Sequence, residues 1–334
     1  MNSVKILAIE SSCDETSIAV VENGTNVLAM TTNTQISTHE KYGGVVPEIA
    51  SRMHCENITI VLNETLEEAG LEMKDIDAIA VTYGPGLLGS LLVGVNFAKS
   101  LALIYKKPLI AVNHLIGHIY ANNIENKLEF PLLTLIVSGG HTELLYMPKD
   151  YEFKLLGATL DDAIGECYDK VAKVLGEKYP GGPNVERLAS RGKDTYSFSI
   201  PMNDDTYNFS YSGLKSNVLN LVHNEIQRGN TIIKEDVAYA FQKAAVGEVE
   251  IKVDKALKEL DVKQLVVAGG VSANQYLKER LKTICDKFNV KLQIPSIKYC
   301  TDNAAMIGAA AYYKYLNNEF SDLSLDACSY LDIC

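Results

Sequence analysis

Two histidines stand four positions apart in His114-Leu-Ile-Gly-His118. On a helix that spacing puts both imidazoles on one face, where they can share one metal ion. A zinc protease of the H-E-x-x-H type needs a glutamate directly after the first histidine as its general base. Leu115 stands there instead, so that protease reading fails. A third ligand has to come from elsewhere in the chain. Asp302, in Cys300-Thr-Asp302-Asn303, is a candidate because it begins the last helix. In its ordinary role an acid there only caps the helix or opposes its dipole. His141 is another candidate, although its place beside Ser138-Gly139-Gly140 suits a substrate contact as well. Cys300 is less attractive, since a lone cysteine is usually a small buried hydrophobe.

A second group is Glu10-Ser-Ser-Cys-Asp14-Glu15-Thr16-Ser17, where carboxylates and hydroxyls crowd a tight junction between two strands. A ligand phosphate or a metal-bound group could be met there, but a solvated hairpin tip has the same composition. Val137-Ser138-Gly139-Gly140-His141 is another strand–turn–strand junction, with glycines that let backbone N–H groups approach a phosphate. Ala268-Gly-Gly-Val-Ser-Ala-Asn274 leads from a strand into a helix, whose N-terminus attracts anions. Two such turns in one half of the chain point to a nucleotide cleft. Gly84-Pro-Gly86-Leu-Leu-Gly89 has dinucleotide-binding spacing. However, the next strand ends Ala111-Val112-Asn113-His114 with no acid for a ribose, and Pro85 removes one N–H. Close helix–strand packing explains those glycines better. Asp169 lies thirteen positions before Gly182 in Tyr179-Pro-Gly-Gly-Pro183, read as a turn able to cover a sugar ring. Carboxylates bind ribose hydroxyls well. Asp161, Asp162 and Glu166 fall near a helix start and need no function. Arg187, Arg191 and Lys193 form a small basic run, read as a solvated helix face.

The elements that must position these groups follow from periodicity. Residues 4–12, 17–24 and 26–35 read as three strands, with Asn23-Gly24 a hairpin signal between the last two. A helix at 47–69, a strand at 76–84, an apolar helix at 87–105 and a strand at 108–114 complete a βββαβαβ run. A similar order recurs with strands at 131–140, 142–148 and 153–160 and a helix at 161–176. Then come a helix that Ser212 can cap, a long helix at 234–260, a strand at 264–270, a helix at 272–288 and a strand at 290–295. An alanine-rich helix at 301–317 closes the pattern. The polar stretch 192–211 reads as a long loop over the cleft, and the last residues as a loose tail. The expected organisation is one lobe over residues 1–124, completed by a helix at 301–320, a second lobe over 125–300, and an unassigned tail at 321–334.

The chain has 334 residues and a net charge of −11, which suits two globular domains and argues against bulk electrostatic binding of nucleic acid. Its seven cysteines form no C-x-x-C pair, so neither a zinc ribbon nor a disulfide framework is expected. The N-terminal apolar run is too short for a signal peptide. The uncharged stretch 78–98 is interrupted by Pro85 and several glycines, so it reads as strand, turn and buried helix rather than a membrane span. A cytoplasmic protein with no membrane partner is expected.

Taken together, IESSCDETS (9–17), GGVVPEIASRMH (43–54), GPGLLGSLLVG (84–94), VNHLIGHIYA (112–121), LIVSGGHTEL (135–144), DDAIGECYDKVAKVLG (161–176), YPGGP (179–183), NFSYSGLKS (208–216), VVAGGVSAN (266–274) and CTDNAAMIG (300–308) resemble the bacterial branch of the TsaD family, once misnamed O-sialoglycoprotein endopeptidases. The matches keep the family's order over almost the whole chain, and only the tail after Phe320 departs. The resemblance implies an α/β fold of the actin-like ATPase and sugar-kinase (ASKHA) class, with two ribonuclease-H-like lobes and a central cleft. It implies transfer of threonylcarbamoyl from threonylcarbamoyl-adenylate to N6 of the adenosine 3′ of the anticodon in tRNAs reading ANN codons. It places a divalent metal, usually Fe2+ and otherwise Zn2+, on His114, His118 and Asp302. It places substrate contacts on Val137, Ser138, Gly139, Gly140, His141, Asp169, Gly182 and Asn274, and on Glu186, where many relatives carry aspartate. It also implies a TsaB-like paralogue pairing through the N-terminal lobe and a TsaE-like ATPase. From residue type, Asp14 or Glu15 is expected to orient or deprotonate the attacking amine. Three competing functions fit less well. A small-molecule kinase of the same fold would leave the histidine pair idle. A metallopeptidase would lack its general base at Leu115, and a non-catalytic scaffold would not need intact ligand positions.

Overall fold

The computed structural model describes residues 3–333. Short apolar runs rich in β-branched residues form strands β1 (Lys5–Glu10), β2 (Glu15–Glu22) and β3 (Asn26–Thr34). Asn23 and Gly24 both take positive φ, +51° and +73°, at the hairpin between β2 and β3. A single helical turn, α1 (Ile36–His39), leads to α2 (Pro47–Ala69), which starts on Pro47 and ends on left-handed Gly70. Then follow β4 (Ala78–Gly84), α3 (Leu88–Tyr105), β5 (Leu109–Asn113) and α4 (His114–Glu125). The sheet order is β3-β2-β1-β4-β5, antiparallel at β1–β2 and β2–β3 and parallel at β1–β4 and β4–β5.

The next stretch repeats this topology. Strands β6 (Leu132–Val137), β7 (Thr142–Met147) and β8 (Lys154–Ala158) precede α5 (Ile164–Val174), α6 (Gly181–Ala189), α7 (Ser212–Gln227) and α8 (Lys234–Glu259). The stretch ends with β9 (Gln264–Ala268), α9 (Gln275–Phe288) and β10 (Lys291–Gln293). The order β10-β9-β6-β7-β8 has the same parallel and antiparallel pattern as the first sheet. The chain then returns with α10 (Ile297–Cys300) and α11 (Ala304–Leu316). One compact unit runs to Leu128 and includes Pro295–Ile333; the other is Glu129–Ile294. Each has its own apolar core, around Leu7, Ile9, Ile18, Val81 and Val95 in the first and Leu133, Leu135, Val249 and Val267 in the second.

In the first unit α11 lies against α4, β1 and β2. Two glycines permit this close crossing. A methyl on Gly117 of α4 would come 2.7 Å from Ile307 Cδ1, and one on Gly308 of α11 would come 2.5 Å from Val21 Cγ2. Helix α3 buries one face, through Leu91, Val95 and Ala98, but Leu103 and Ile104 stay 63% and 68% exposed, so it is half-buried rather than buried. Among the described residues it alone is long and apolar enough to cross a membrane, by length and composition.

Several expectations need correction. Residues 179–183 are not a covering turn, because α6 starts inside them at Gly181. Ser212 does not cap α7. The Asp161 carboxylate does, accepting from the backbone N–H groups of Tyr211 (2.8 Å) and Ser212 (3.2 Å) and from the Ser212 hydroxyl. The loop at 192–211 is pinned by buried groups. Lys193 N donates to Asp236, Ser210 N to Glu248, and the Lys252 ammonium to Asp204 and to the carbonyls of Asp204 and Thr206. The tail is not loose. Ser321 N donates to Leu109 O (2.8 Å), Cys328 N to Tyr83 O (2.7 Å) and Gly86 N to Ser329 O (3.2 Å), while Leu325 and Ala327 pack on the first core. Backbone-to-backbone bonds and two small apolar contacts leave no periodic signature, so no pattern in the tail announces its docking.

The tail also explains part of the glycine motif at 84–89. A methyl on Gly84 would clash with the Cys328 carbonyl oxygen, and one on Gly86 would come 2.7 Å from Ser12 O. Gly84→Ala is expected to displace the tail. The expected cost is about 1–3 kcal/mol of stability, measured by denaturant titration, with new cleavage after residue 320 in limited proteolysis. Unchanged stability and proteolysis would show that the tail yields freely.

Candidate metal centre and acidic turn

Strand β5 is buried throughout and ends at Asn113, whose side-chain oxygen accepts from Leu115 N (2.8 Å) and Ile116 N (3.3 Å). This cap starts α4 at once, so His114 is its first residue and His118 lies one turn on. The two rings meet edge to face, with centroids 4.7 Å apart. Asn303 caps α11 by accepting from Met306 N at 3.0 Å. With the cap filled by its neighbour, the Asp302 carboxylate turns to the histidines instead. Its Oδ1 lies 3.1 Å from His118 Nε2 and 3.4 Å from His114 Nε2. One ligand atom from each of the three residues lies within 4.8 Å of the others. Two imidazoles and one carboxylate suit a transition metal with open positions, the donor set of non-haem iron(II) and close to that of catalytic zinc.

The other nitrogen of His114 is also engaged. Nδ1 lies 3.1 Å from Glu10 Oε2 and 3.2 Å from Ser12 Oγ. Glu10 is fully buried and held by Ser12 N (2.6 Å) and the Thr82 hydroxyl (2.5 Å). Such a carboxylate–histidine contact fixes the ring and raises its basicity towards a metal. Burial works against a charged His114, yet the carboxylates of Asp302 and Glu10 hold its pKa well above the usual histidine range. Burial pushes Glu10 up, but the facing His114 wins and the net shift is down. Asp302 is driven far below the carboxylate range by the two histidines, against burial. A proton on His114 would thus face the buried Glu10 carboxylate and the partly exposed Asp302 carboxylate, and a dication would take its place. Among the described residues His118 Nδ1 has no hydrogen-bond partner.

By residue type alone Glu10 is one more acid in a crowded turn. A subtler signal marks it out: a carboxylate closing an apolar strand has to find a buried partner.

Asp14 and Glu15 follow in the turn from β1 to β2. Glu15 is pushed up to about 10 by burial, then by the charges of Asp302 and Asp14. Asp14 is buried, and its Oδ2 has no partner among the described residues. Glu15 therefore keeps its proton at neutral pH in the metal-free chain, while Asp14 presents a bare oxygen.

The expected substrate residues all lie in the second unit. Val137 ends β6, and Ser138 Oγ accepts from Gly140 N (3.3 Å) and His141 N (3.0 Å), which shapes the turn. Around Gly139 and Gly140 a methyl would meet nothing within 4 Å, so the space beside them is open. Gly269, at φ +90°, packs against the Val137 carbonyl, so the turns after parallel neighbours β6 and β9 lie side by side. Asp169 Oδ1 accepts from Gly181 N (2.7 Å) at the start of α6, with Gly182 in open space beside it. Glu186 Oε1 accepts from Gln275 N (2.6 Å), and Asn274 caps α9 through Leu277 N (2.8 Å). Asp169, Glu186 and Asn274 thus each serve a helix start as well. Arg187 of the basic run is paired with Glu177 at 2.6 Å, which reduces its charge towards a phosphate.

Known proteins similar to this chain agree with one another. A family profile described as "TsaD: tRNA N6-adenosine threonylcarbamoyltransferase" matches residues 26–309. A Staphylococcus aureus (strain JH9) protein named tRNA N6-adenosine threonylcarbamoyltransferase is 54% identical over 331 residues, covering 99% of this chain and 97% of its own length. The protein of the same name from strain MRSA252 matches at the same identity and coverage. Among solved structures, HypF from T. kodakarensis superposes with TM-score 0.64 at 16% identity over 97% of this chain and 49% of its own. Component A of (R)-2-hydroxyglutaryl-CoA dehydratase from Acidaminococcus fermentans does so with TM-score 0.56 at 14% identity over 95% and 99%. These structures speak for the fold alone, which is of the actin-like ATPase and sugar-kinase class.

The raised pKa of His114 carries a pH prediction. A metal has to displace the His114 proton, so apparent affinity should rise with pH up to the raised pKa. Calorimetric titration of the metal-free chain in buffers of different ionisation enthalpy should show proton release on binding. Affinity independent of pH, with no proton released, would contradict it. Glu10→Gln should weaken metal binding about 10- to 100-fold.

Proposed function

The chain belongs to the TsaD family of tRNA N6-adenosine threonylcarbamoyltransferases, and on that premise we propose that it makes N6-threonylcarbamoyladenosine in tRNAs reading ANN codons, at the adenosine 3′ of the anticodon. The donor is threonylcarbamoyl-adenylate. The observation that carries this reading is the convergence of His114, His118 and Asp302 at the mouth of α4, with the acidic turn electrostatically coupled to Asp302. A small-molecule kinase is not favoured, since the close relatives carry the transferase name.

In the reaction N6 of adenosine attacks the carbamoyl carbon. A C–N bond forms, the bond to the phosphate oxygen breaks, and AMP leaves with the electron pair. Asp14 Oδ2, bare and buried, receives the proton from the amine. Glu15, next in the chain, holds its own proton. The glycine turns at 138–141 and 269–274 leave open space at Gly139, Gly140 and Gly270 for close approach of the adenylate phosphate, and Asp169, Gly182 and Glu186 meet its sugar. A divalent ion on His114, His118 and Asp302, Fe2+ in preference to Zn2+, supplies Lewis-acid stabilisation of charge on the acyl group.

An acidic chain binds tRNA weakly by itself. A TsaB-like paralogue and a TsaE-like ATPase, met in the cytoplasm, complete the reading. The exposed Leu103 and Ile104 on α3 support a partner on the first unit.

The test is incubation of iron-loaded chain with threonylcarbamoyl-adenylate and unmodified tRNA, with and without both partners, followed by mass spectrometry of nucleosides. Modified adenosine is expected. Asp14→Asn should lower kcat on the order of 100-fold or more at unchanged metal content, and Asp302→Asn should lose both metal and product. No product with partners known to be active would sink the reading.

A further inference from the structure

His54 lies in α2 and is fully buried, and both its ring nitrogens serve the acidic turn. Nδ1 is 2.7 Å from Thr16 Oγ1, and Nε2 is 2.9 Å from the Cys13 carbonyl oxygen. A carbonyl can only accept, so Nε2 carries the proton and Nδ1 accepts from the threonine hydroxyl. That defines one neutral tautomer. Burial agrees, holding the ring below the usual histidine range against the Cys13 carbonyl and the carboxylates of Glu10 and Asp14, with His39 adding to the lowering.

The two bonds land on residues 13 and 16, either side of Asp14 and Glu15. Other elements hold the rest of the turn. Ser11 Oγ donates to Ser90 O (2.9 Å), Leu87 N to Ser12 O (2.8 Å) and Gln35 N to Asp14 O (3.0 Å). Among the described residues Asp14 Oδ2 has no hydrogen-bond partner. A buried acceptor left unpaired forfeits its hydration with no return, so a turn free to move would rotate this carboxyl to water or to a donor. Something has to prevent that, and His54 is the side chain that grips both flanks.

We propose that His54 is a positioning residue for the transfer reaction, acting through Cys13 and Thr16 to keep the Asp14 carboxyl buried and unpartnered until the amine arrives. This rests on the reading that Asp14 takes the amine proton. His54 touches neither substrate nor metal ligand in this scheme, so its loss acts on turnover and leaves binding alone.

The test compares His54→Phe, which keeps a ring but neither bond, with Thr16→Val, which removes one bond at nearly constant shape, and with His54→Gln, whose amide can restore the donor to Cys13. In the complete enzyme with partners, His54→Phe should lower kcat on the order of 10- to 100-fold, with KM for tRNA and metal affinity unchanged. Thr16→Val should lose less, and His54→Gln should recover part of the loss. Hydrogen exchange of the amides at 12–17 should quicken in His54→Phe. Wild-type kcat in both His54→Phe and Thr16→Val overturns the proposal, as does a loss that follows KM or metal content. Should His54→Phe fail to fold, Thr16→Val and His54→Gln decide in the same way. If Asp14→Asn proves as active as wild type, the Asp14 reading falls by itself. The exchange rates then decide alone whether His54 holds the turn, and unchanged rates overturn that too.

Discussion

The meeting of His114 with the carboxylates of Glu10 and Asp302 organises the first unit. Glu10 comes from β1, His114 from α4 and Asp302 from the residue before the cap of α11. Burying the Glu10 carboxylate without a cationic or hydrogen-bonding partner is costly, and removing its partner leaves an unbalanced charge inside the protein. The three elements therefore have to meet at one place, and that place can accept a dication. The close approach of α11 to α4 at Gly117 and to the sheet at Gly308 is the packing side of the same constraint. The electrostatic balance and the helix contact select one register of α11 on the sheet.

The repeated topology puts two different chemistries at the same position. In each unit the turn between the first two strands follows the end of the central strand. In the first unit that turn carries Asp14 and Glu15. In the second it carries Ser138, Gly139, Gly140 and His141. One copy carries carboxyl oxygens, and the other carries glycines with open space around them.

Much of this is legible in the sequence because it depends on local pattern. The strand and helix order follows from apolar periodicity, and the histidine pair from helical spacing. What periodicity does not show are side chains acting at a distance in sequence. Glu10 looks like one acid among several until its partner 104 residues away is placed beside it. His54 looks like one polar position in an amphipathic helix. Asp161 resembles an ordinary first-turn acid, yet it caps a different helix 51 residues on. Helix α6 escapes detection because its first residues, Gly181, Gly182 and Pro183, are turn formers by local preference. The bond from Gly181 N to Asp169 overrides that preference.

The first unit is interrupted in the chain by the whole of the second. Its histidines are synthesised early, while Asp302, α11 and the tail that reaches Tyr83 and Gly86 come last. During translation the nascent chain carries His114 and His118 without their carboxylate and without the helix that packs on α4. Folding from the N-terminus can build the β-sheet but not the three-ligand site. A chain terminated before residue 302 would keep both histidines but lack the carboxylate that completes the three-residue cluster.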